Sequence, residues 1–441
     1  MYILKILEFA RKYHKPLFLI SLLLLFFLDI WVISQRPLTL SSDSSWWLII
    51  QKVEAGQGYK ACDPAYIPNC AITDQTTAMR EPLPVLFFAL VGRLTGNSPF
   101  AYQFSQLVFN LLICFFIYLF VRELGNRTLA LVASYAWVFY LYGVHTVMNI
   151  NGDLMAGVFV ISGLICSTRA LRKGAIKGWI LCGLLFGLAV LSRSSTLLIF
   201  LVLLAEAAFY LWRSGNFQQK WYHLVPVVVA FGLVVSPWVI RNEIVFGKPI
   251  LGTTLVGYNL YRHNAILSSN VFPHYVGASE GYREVKDLVA RTPQLRHPIN
   301  EARVDEIFQQ AGLKIILAHP LKYVELSAFR ILPLWFDYGV LDQYGERMMF
   351  VDELIVIQQA FLLVLFLIGV WKGNWYVRFL AVCVLLFVLA YMAIDSQLRY
   401  MIPVMPLVIV ISVAGIDCYI RGVLAKKLPY RFGFKGNRLC S

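Results

Sequence analysis

Two charged positions stand directly ahead of short apolar segments. Asp43, in Ser41-Ser42-Asp43-Ser44, precedes Trp46, Trp47, Ile50 and Val53, which recur at helical spacing until Gly56-Gln57-Gly58 ends the pattern. Arg80-Glu81 precedes the stretch 82–94, which is too short to cross a bilayer and is opened by Pro82 in a helix's first turn. A carboxylate and a guanidinium at the heads of two helices on a membrane surface could meet a bilayer-embedded ligand, one as proton acceptor and the other as anion binder. Both also have plain structural readings. Asp43 could cap the helix starting at Ser44, and Arg80-Glu81 could be a surface ion pair.

The elements that must position these residues are membrane helices. Of 441 residues, 59% are hydrophobic and only 15% charged, and the mean hydropathy is +0.66. A soluble chain is nearer 45–50% apolar and roughly 25% charged, so a cytosolic enzyme, a disordered chain and a disulfide-stapled scaffold are all excluded. The apolar residues fall in runs expected to span at about 16–34, 100–121, 129–147, 154–170, 177–191, 195–212, 223–240, 353–371, 375–394 and 400–420. No small-residue cleavage site follows the first run, which reads as a retained span.

The formal charge of +14 is explained by orientation rather than by nucleic acid. With the N-terminus inside, the cytoplasmic turns carry Arg122 and Arg127, Arg172 and Lys173, Arg213 and Lys220, Lys372 and a basic C-terminal tail. The short outer turns hold little beyond Arg193 and Arg399. Both termini are therefore expected in the cytoplasm. The expected organisation is an N-terminal membrane module over 1–240 with a first outer loop at 35–99, a second outer loop at 241–352, and C-terminal membrane helices with a basic tail at 353–441. The stretch 321–338 could lie in the interface or cross; crossing would make the span count odd and put the basic tail outside.

Other signals are weaker. Asp153, Arg193 and Arg399 sit at span ends, where ending a span or snorkelling to headgroups is the ordinary use of such residues. Asp29, inside the first apolar run, is expected to reach the interface or to pair with an arginine. Gly183 and Gly187 fit close helix packing. Cys62 and Cys70 share the first outer loop, where an oxidising compartment would permit a disulfide; the reading leaves that bridge open. The chain contains no P-loop, no GxGxxG and no HExxH, so nucleotide-driven transport and sugar-nucleotide chemistry lack their usual signatures.

Several spaced elements together resemble the GT-C superfamily of polytopic glycosyltransferases, specifically a bacterial branch akin to glycosyltransferase family 39 and the aminoarabinose and protein mannosyl transferases. They are Asp43 through Gly56-Gln57-Gly58-Tyr59, Arg80-Glu81-Pro82-Leu83-Pro84, Leu191-Ser192-Arg193, Ser236-Pro237-Trp238 through Arg241-Asn242, Ala318-His319-Pro320, and Arg399-Tyr400 through Pro403 and Pro406. In this sequence Ser44 stands where many relatives carry a second acid, and Glu81 replaces the first proline of a basic-Pro-Pro element.

The resemblance implies an all-α membrane bundle of about ten helices. It also implies transfer of a hexosyl or pentosyl unit, with inversion, from a polyprenyl-phosphate donor to a lipid, polysaccharide or protein acceptor on the outer face of the inner (plasma) membrane. Under it, Asp43 is the general base, Arg80 the first donor-phosphate contact, and Arg193, Arg241 and Arg399 further phosphate contacts. Glu81, Asp153, Tyr59 and Tyr400 would line the substrate cavity. No cofactor is expected. A divalent cation shared by Asp43 and Asp153 is not favoured, since two carboxylates are a thin ligand set for a hard ion. The alternative is a transporter or flippase that guides a lipid-linked or anionic glycan with the same arginines.

Overall fold

In a computed structural model, residues 9–38, 45–61, 75–125, 127–213, 221–268, 278–295, 300–336 and 349–427 are described. Asp43, Cys62 and Cys70 lie outside the described residues. The long apolar runs become α1 (His14–Gln35), α4 (Pro99–Glu123), α7 (Asp153–Lys173), α9 (Leu197–Arg213), α10 (Leu224–Phe246), α16 (Met349–Lys372) and α17 (Trp375–Ile394). Among the described residues, seven helices are long and apolar enough to cross a membrane, and Pro82–Thr95, Ile176–Ser192 and Met405–Tyr419 are shorter apolar helices. The chain is a multi-pass, all-helical membrane protein.

One expected span is interrupted. The run 129–147 divides into α5 (Arg127–Val138) and α6 (Leu141–Thr146). The break is bridged from α16: Gln358 Nε2 donates to the Phe139 carbonyl at 2.6 Å, and its Oε1 accepts from the Leu141 amide at 3.0 Å. A neighbouring side chain thus takes up the backbone groups that the missing turn would have paired, which makes a broken helix tolerable inside a bundle.

Helix α8 (Ile176–Ser192) packs along α7 and α10. A methyl group added at Gly183 would run into the Val227 carbonyl of α10, so glycine there is what lets the two backbones approach. After the 3₁₀ turn Leu398–Met401, α18 (Met405–Lys427) closes the bundle.

The extramembrane segments differ from a pair of surface-lying helices. Helix α2 (Ser45–Glu54) turns Trp47, Ile49 and Ile50 inward. They pack with Val85 and Phe88 of α3 (Pro82–Thr95) and with Tyr258 and Phe308 of the second loop. The amphipathic stripe is therefore satisfied by protein, because the second loop folds over the first. That loop supplies α11 (Val256–Asn264), α12 (Ala278–Arg291) and α13 (Glu301–Ala318). The described part of 321–338 forms α14 (Pro320–Phe329, 10 residues) and α15 (Ile331–Phe336, 6 residues). At about 1.5 Å per residue neither can cross a bilayer. Leu317, Leu321 and Val324 point outward here.

Asp29 corrects another expectation. It neither reaches the interface nor meets an arginine: it is fully buried, and both its oxygens accept from Asn110 Nδ2, at 3.1 and 2.9 Å. Asn110 Oδ1 in turn accepts from the Trp137 indole at 2.9 Å. A short amide on α4 serves as the partner, so the carboxyl needs no route to water.

Candidate active site

At one end of the bundle the C-termini of α8 and α17, the N-terminus of α7 and the turns at 194–196 and 398–401 come together. Arg193 lies between α8 and the Ser194–Thr196 turn, in extended conformation. Its Nη1 forms a salt bridge of 2.6 Å with Oδ1 of Asp153, the first residue of α7. Its Nε donates to the Tyr391 hydroxyl at 3.0 Å, and its guanidinium lies 4.6 Å from the Tyr400 ring centre. The Asp153 side chain is fully buried and that of Arg193 15% exposed. This arginine is held by a carboxylate and stacked aromatics, and does not snorkel.

Tyr400 stacks on Tyr391 and donates its hydroxyl to Asp395 Oδ2 at 2.7 Å. Asp395, just past α17, also accepts from the Ser396 amide at 2.7 Å. Burial disfavours its charge, yet His263, the Tyr400 hydroxyl, Arg262 and Arg399 outweigh burial and hold the carboxyl below its usual range. His263 Nε2 of α11 approaches Asp395 Oδ1 at 3.4 Å. Burial, aided by Arg262 and Arg330 against Asp395, pushes His263 down to about 4.

Arg330 fastens the second loop to this end of the bundle. Its Nη1 donates to the Met392 and Ala393 carbonyls at 3.1 and 3.2 Å, and its Nη2 to the His263 carbonyl and Asn264 Oδ1 at 2.6 and 3.0 Å.

The first loop joins through Glu81 and Arg241. Glu81 caps α3 in extended conformation, and its Oε1 accepts from both the amide and the hydroxyl of Ser194 at 3.1 Å. Arg80 lies over the Trp46 ring, 5.4 Å from its centre. The Tyr59 hydroxyl donates to the carbonyls of Arg80 and Glu81 at 2.8 and 3.3 Å. Burial pushes the Tyr59 hydroxyl above its ordinary range, with Glu81 adding to the shift and Arg241 and Arg80 opposing it.

Arg241 donates to the Thr77 and Tyr59 carbonyls at 2.9 and 3.4 Å and to Asn242 Oδ1 at 2.7 Å. Behind it sits Glu301, whose Oε1 accepts from the Ala78 amide at 2.9 Å and from the Thr254 hydroxyl. Burial raises its carboxyl to about 7, against the Ala78 amide, the Thr77 hydroxyl and Arg241.

Of the residues expected from sequence, the structure brings Arg193, Asp153, Tyr400, Arg399 and Glu81 into one charged centre, and sets Arg80, Tyr59 and Arg241 along its first-loop wall. Arg399 lies 5.2 Å from the Tyr400 ring centre and acts electrostatically on both Asp153 and Asp395. The sequence reading missed Asp395, His263, Tyr391, Arg330 and Glu301. Asp395 ends an apolar run just before Arg399-Tyr400, which is a usable signal; His263 and Glu301 sit in the second loop with no pattern to mark them. Among the described residues, no group of three His, Cys, Asp or Glu side chains comes together as a metal site.

The same architecture occurs in known proteins. A family profile described as dolichyl-phosphate-mannose-protein mannosyltransferase matches residues 79–240, less than half the chain but including Arg80, Glu81, Asp153 and Arg193. The archaeal oligosaccharyltransferase AglB from Archaeoglobus fulgidus, in complex with an inhibitory peptide and a dolichol-phosphate, aligns at TM-score 0.55 and 17% identity over 97% of this chain. This chain shares the fold of that membrane protein. It spans about half the length of that relative, covering 53% of it. The apo oligosaccharyltransferase of the same organism gives 0.54 at 14% identity, over 98% of this chain and 54% of that one. ArnT from Cupriavidus metallidurans bound to undecaprenyl phosphate gives 0.40 at 13%, over 95% and 81%. A search of curated proteins finds no match. In this bundle the charged centre lies where the two long loops meet the membrane helices.

Proposed function

We propose that the chain is a membrane glycosyltransferase that moves a sugar from a polyprenyl-phosphate donor to an acceptor hydroxyl or amine, with inversion, on the outer face of the plasma membrane and with both termini in the cytoplasm. The observation that carries this reading is the meeting of Arg193, Asp153, Glu81, Asp395 and Arg399 at one end of an apolar GT-C bundle. A neutral solute needs no such centre. The AglB structure, bound to a dolichol-phosphate, supports a prenyl-phosphate ligand for this fold.

The acceptor attacks the anomeric carbon as the carbon–oxygen bond to the phosphate breaks, and Asp43 takes the acceptor's proton. The prenyl phosphate departs with the bonding electrons, and its charge is met by Arg80, with Arg193 and Arg399 contributing positive potential. Arg80 stacks on Trp46, three residues along the sequence from Asp43. Tyr59 and Arg241 hold the loop that carries Arg80. Asp153, Glu81 and Tyr400 fix the cavity wall.

The test is release of free polyprenyl phosphate from a polyprenyl-phosphate sugar by the purified protein supplied with acceptor. Asp43→Asn is expected to abolish release while donor binding persists, and undiminished turnover would remove Asp43 as the base. Translocation of intact donor without cleavage would instead establish a transporter.

A further inference from the structure

At the opposite end of the bundle, the chain entering α1 meets the turn between α4 and α5 around a pocket of about 730 Å³ whose wall carries Lys12, His14, Lys15, Arg122 and Arg127. Among the described residues that line it, none is acidic. Glu123, next to Arg122 in the chain, is engaged elsewhere: its carboxylate pairs with Arg169 of α7 at 2.5 Å, and its carbonyl accepts from Arg172. Arg122 lies over the Tyr118 ring at 5.7 Å, and Tyr118 stacks on Phe18 of α1 at 4.0 Å. The guanidinium is thereby fixed at the foot of the α1–α4 contact. Gly125, at φ 100°, makes the turn that brings Arg127 back beside it.

A bias of basic residues toward the cytoplasm accounts for positive charge at this end. It does not account for gathering that charge into one concavity, where like charges repel unless an anion joins them. The elements that carry the pocket also carry exposed apolar side chains: Phe9 and Tyr13 ahead of α1, Leu19 in α1 and Phe115 in α4 are 56%, 40%, 57% and 37% exposed. The pocket therefore opens where a hydrocarbon-facing surface meets a cationic one. We propose that it holds the phosphate of an anionic lipid from the leaflet at that end, with the arginine forks on the phosphate oxygens and the lysines supplying further positive charge.

Full-length protein in neutral detergent is offered short-chain phosphatidylglycerol, phosphatidylcholine or inorganic phosphate, and retention is read by native mass spectrometry. Phosphatidylglycerol is expected to be retained about tenfold better than phosphatidylcholine. The combined Lys12→Gln, Lys15→Gln, Arg122→Gln and Arg127→Gln variant is expected to lose that preference with its thermal transition intact. Should this variant not fold, Arg122→Gln and Arg127→Gln singly carry the same comparison with a several-fold loss. Arg80→Gln, at the other end, is expected to leave the preference unchanged, which separates this pocket from the candidate active site. Equal retention of the two lipids, an unchanged preference in the pocket variants, or a preference lost in Arg80→Gln would overturn the proposal. Inorganic phosphate held as firmly as the lipid would overturn the lipid assignment and leave a free-anion site.

Discussion

Replacing Asp153 with asparagine keeps the shape of the side chain and removes its charge. In the native site that charge lies 2.6 Å from Arg193, with the carboxylate fully buried and the arginine side chain 15% exposed. Breaking a buried ion pair from one side costs about 3–5 kcal/mol, most of it the burial of the charge left behind. Arg193 would still donate to Tyr391 and lie on the face of Tyr400. A cation over an aromatic ring is worth about 0.5–2 kcal/mol. The loss in Asp153→Asn should therefore fall near the lower limit, about 3 kcal/mol, or two orders of magnitude in the folding equilibrium.

Arg193→Gln is expected to cost more, toward about 5 kcal/mol, because it strands a carboxylate with no exposure to water. The double variant should then be no worse than Arg193→Gln alone, giving a coupling energy of at least about 3 kcal/mol. The assay is equilibrium denaturant unfolding in mixed micelles, followed by tryptophan fluorescence and circular dichroism, for the four members of the cycle. Additivity of the two single effects to within about 0.5 kcal/mol would refute the pairing argument.

Glu301, raised to about 7 by burial, binds its proton more tightly in the folded chain than in the unfolded one, where about 4.3 is ordinary. Its contribution to stability is complete below the unfolded value and is lost as pH rises through about 7, so the thermal midpoint should fall between about pH 5 and pH 8 more steeply in wild type than in Glu301→Gln. Arg330→Gln removes the link between α11 and α17, with an expected loss of about 3 kcal/mol and faster amide exchange over 256–264; unchanged exchange there would show that other contacts seat the second loop. Arg241→Lys keeps the charge but cannot reach the Thr77 and Tyr59 carbonyls together. Exchange over 75–81 should rise and the thermal midpoint fall, whereas a higher donor KM with neither change would make Arg241 a direct phosphate contact.

Much of this was legible in the sequence because bilayer physics writes itself in long runs. Most of the expected spans map onto single helices, and the run 321–338 was recognised as doubtful. What the pattern could not show was pairing across distant segments. A window over 129–147 sees continuous hydrophobicity, whereas the break at 139–140 depends on Gln358, more than two hundred positions away. Asp29 shows no arginine because its partner is an amide on α4, and hydropathy cannot rank Asn110 above other polar residues. Likewise Arg193 reads as one more span-end cation until Asp153 and Tyr400 stand beside it.

Most charged groups in the centre have a scaffold partner: Asp153 with Arg193, Glu81 with the Ser194 turn, Asp395 with Tyr400, Arg241 with loop carbonyls. These contacts oppose one another in consequence. The carboxylates lower the net positive potential, yet without them the arginines would swing toward water and would have to be reoriented as a phosphate arrived. Preorganised dipoles and charges need no such rearrangement when charge develops on a leaving group. Arg80 lies over the face of Trp46, and its carbonyl accepts from the Tyr59 hydroxyl. Under the proposed function the immobile pairs form the walls, and Arg80 on the first loop is the arginine assigned to the departing phosphate.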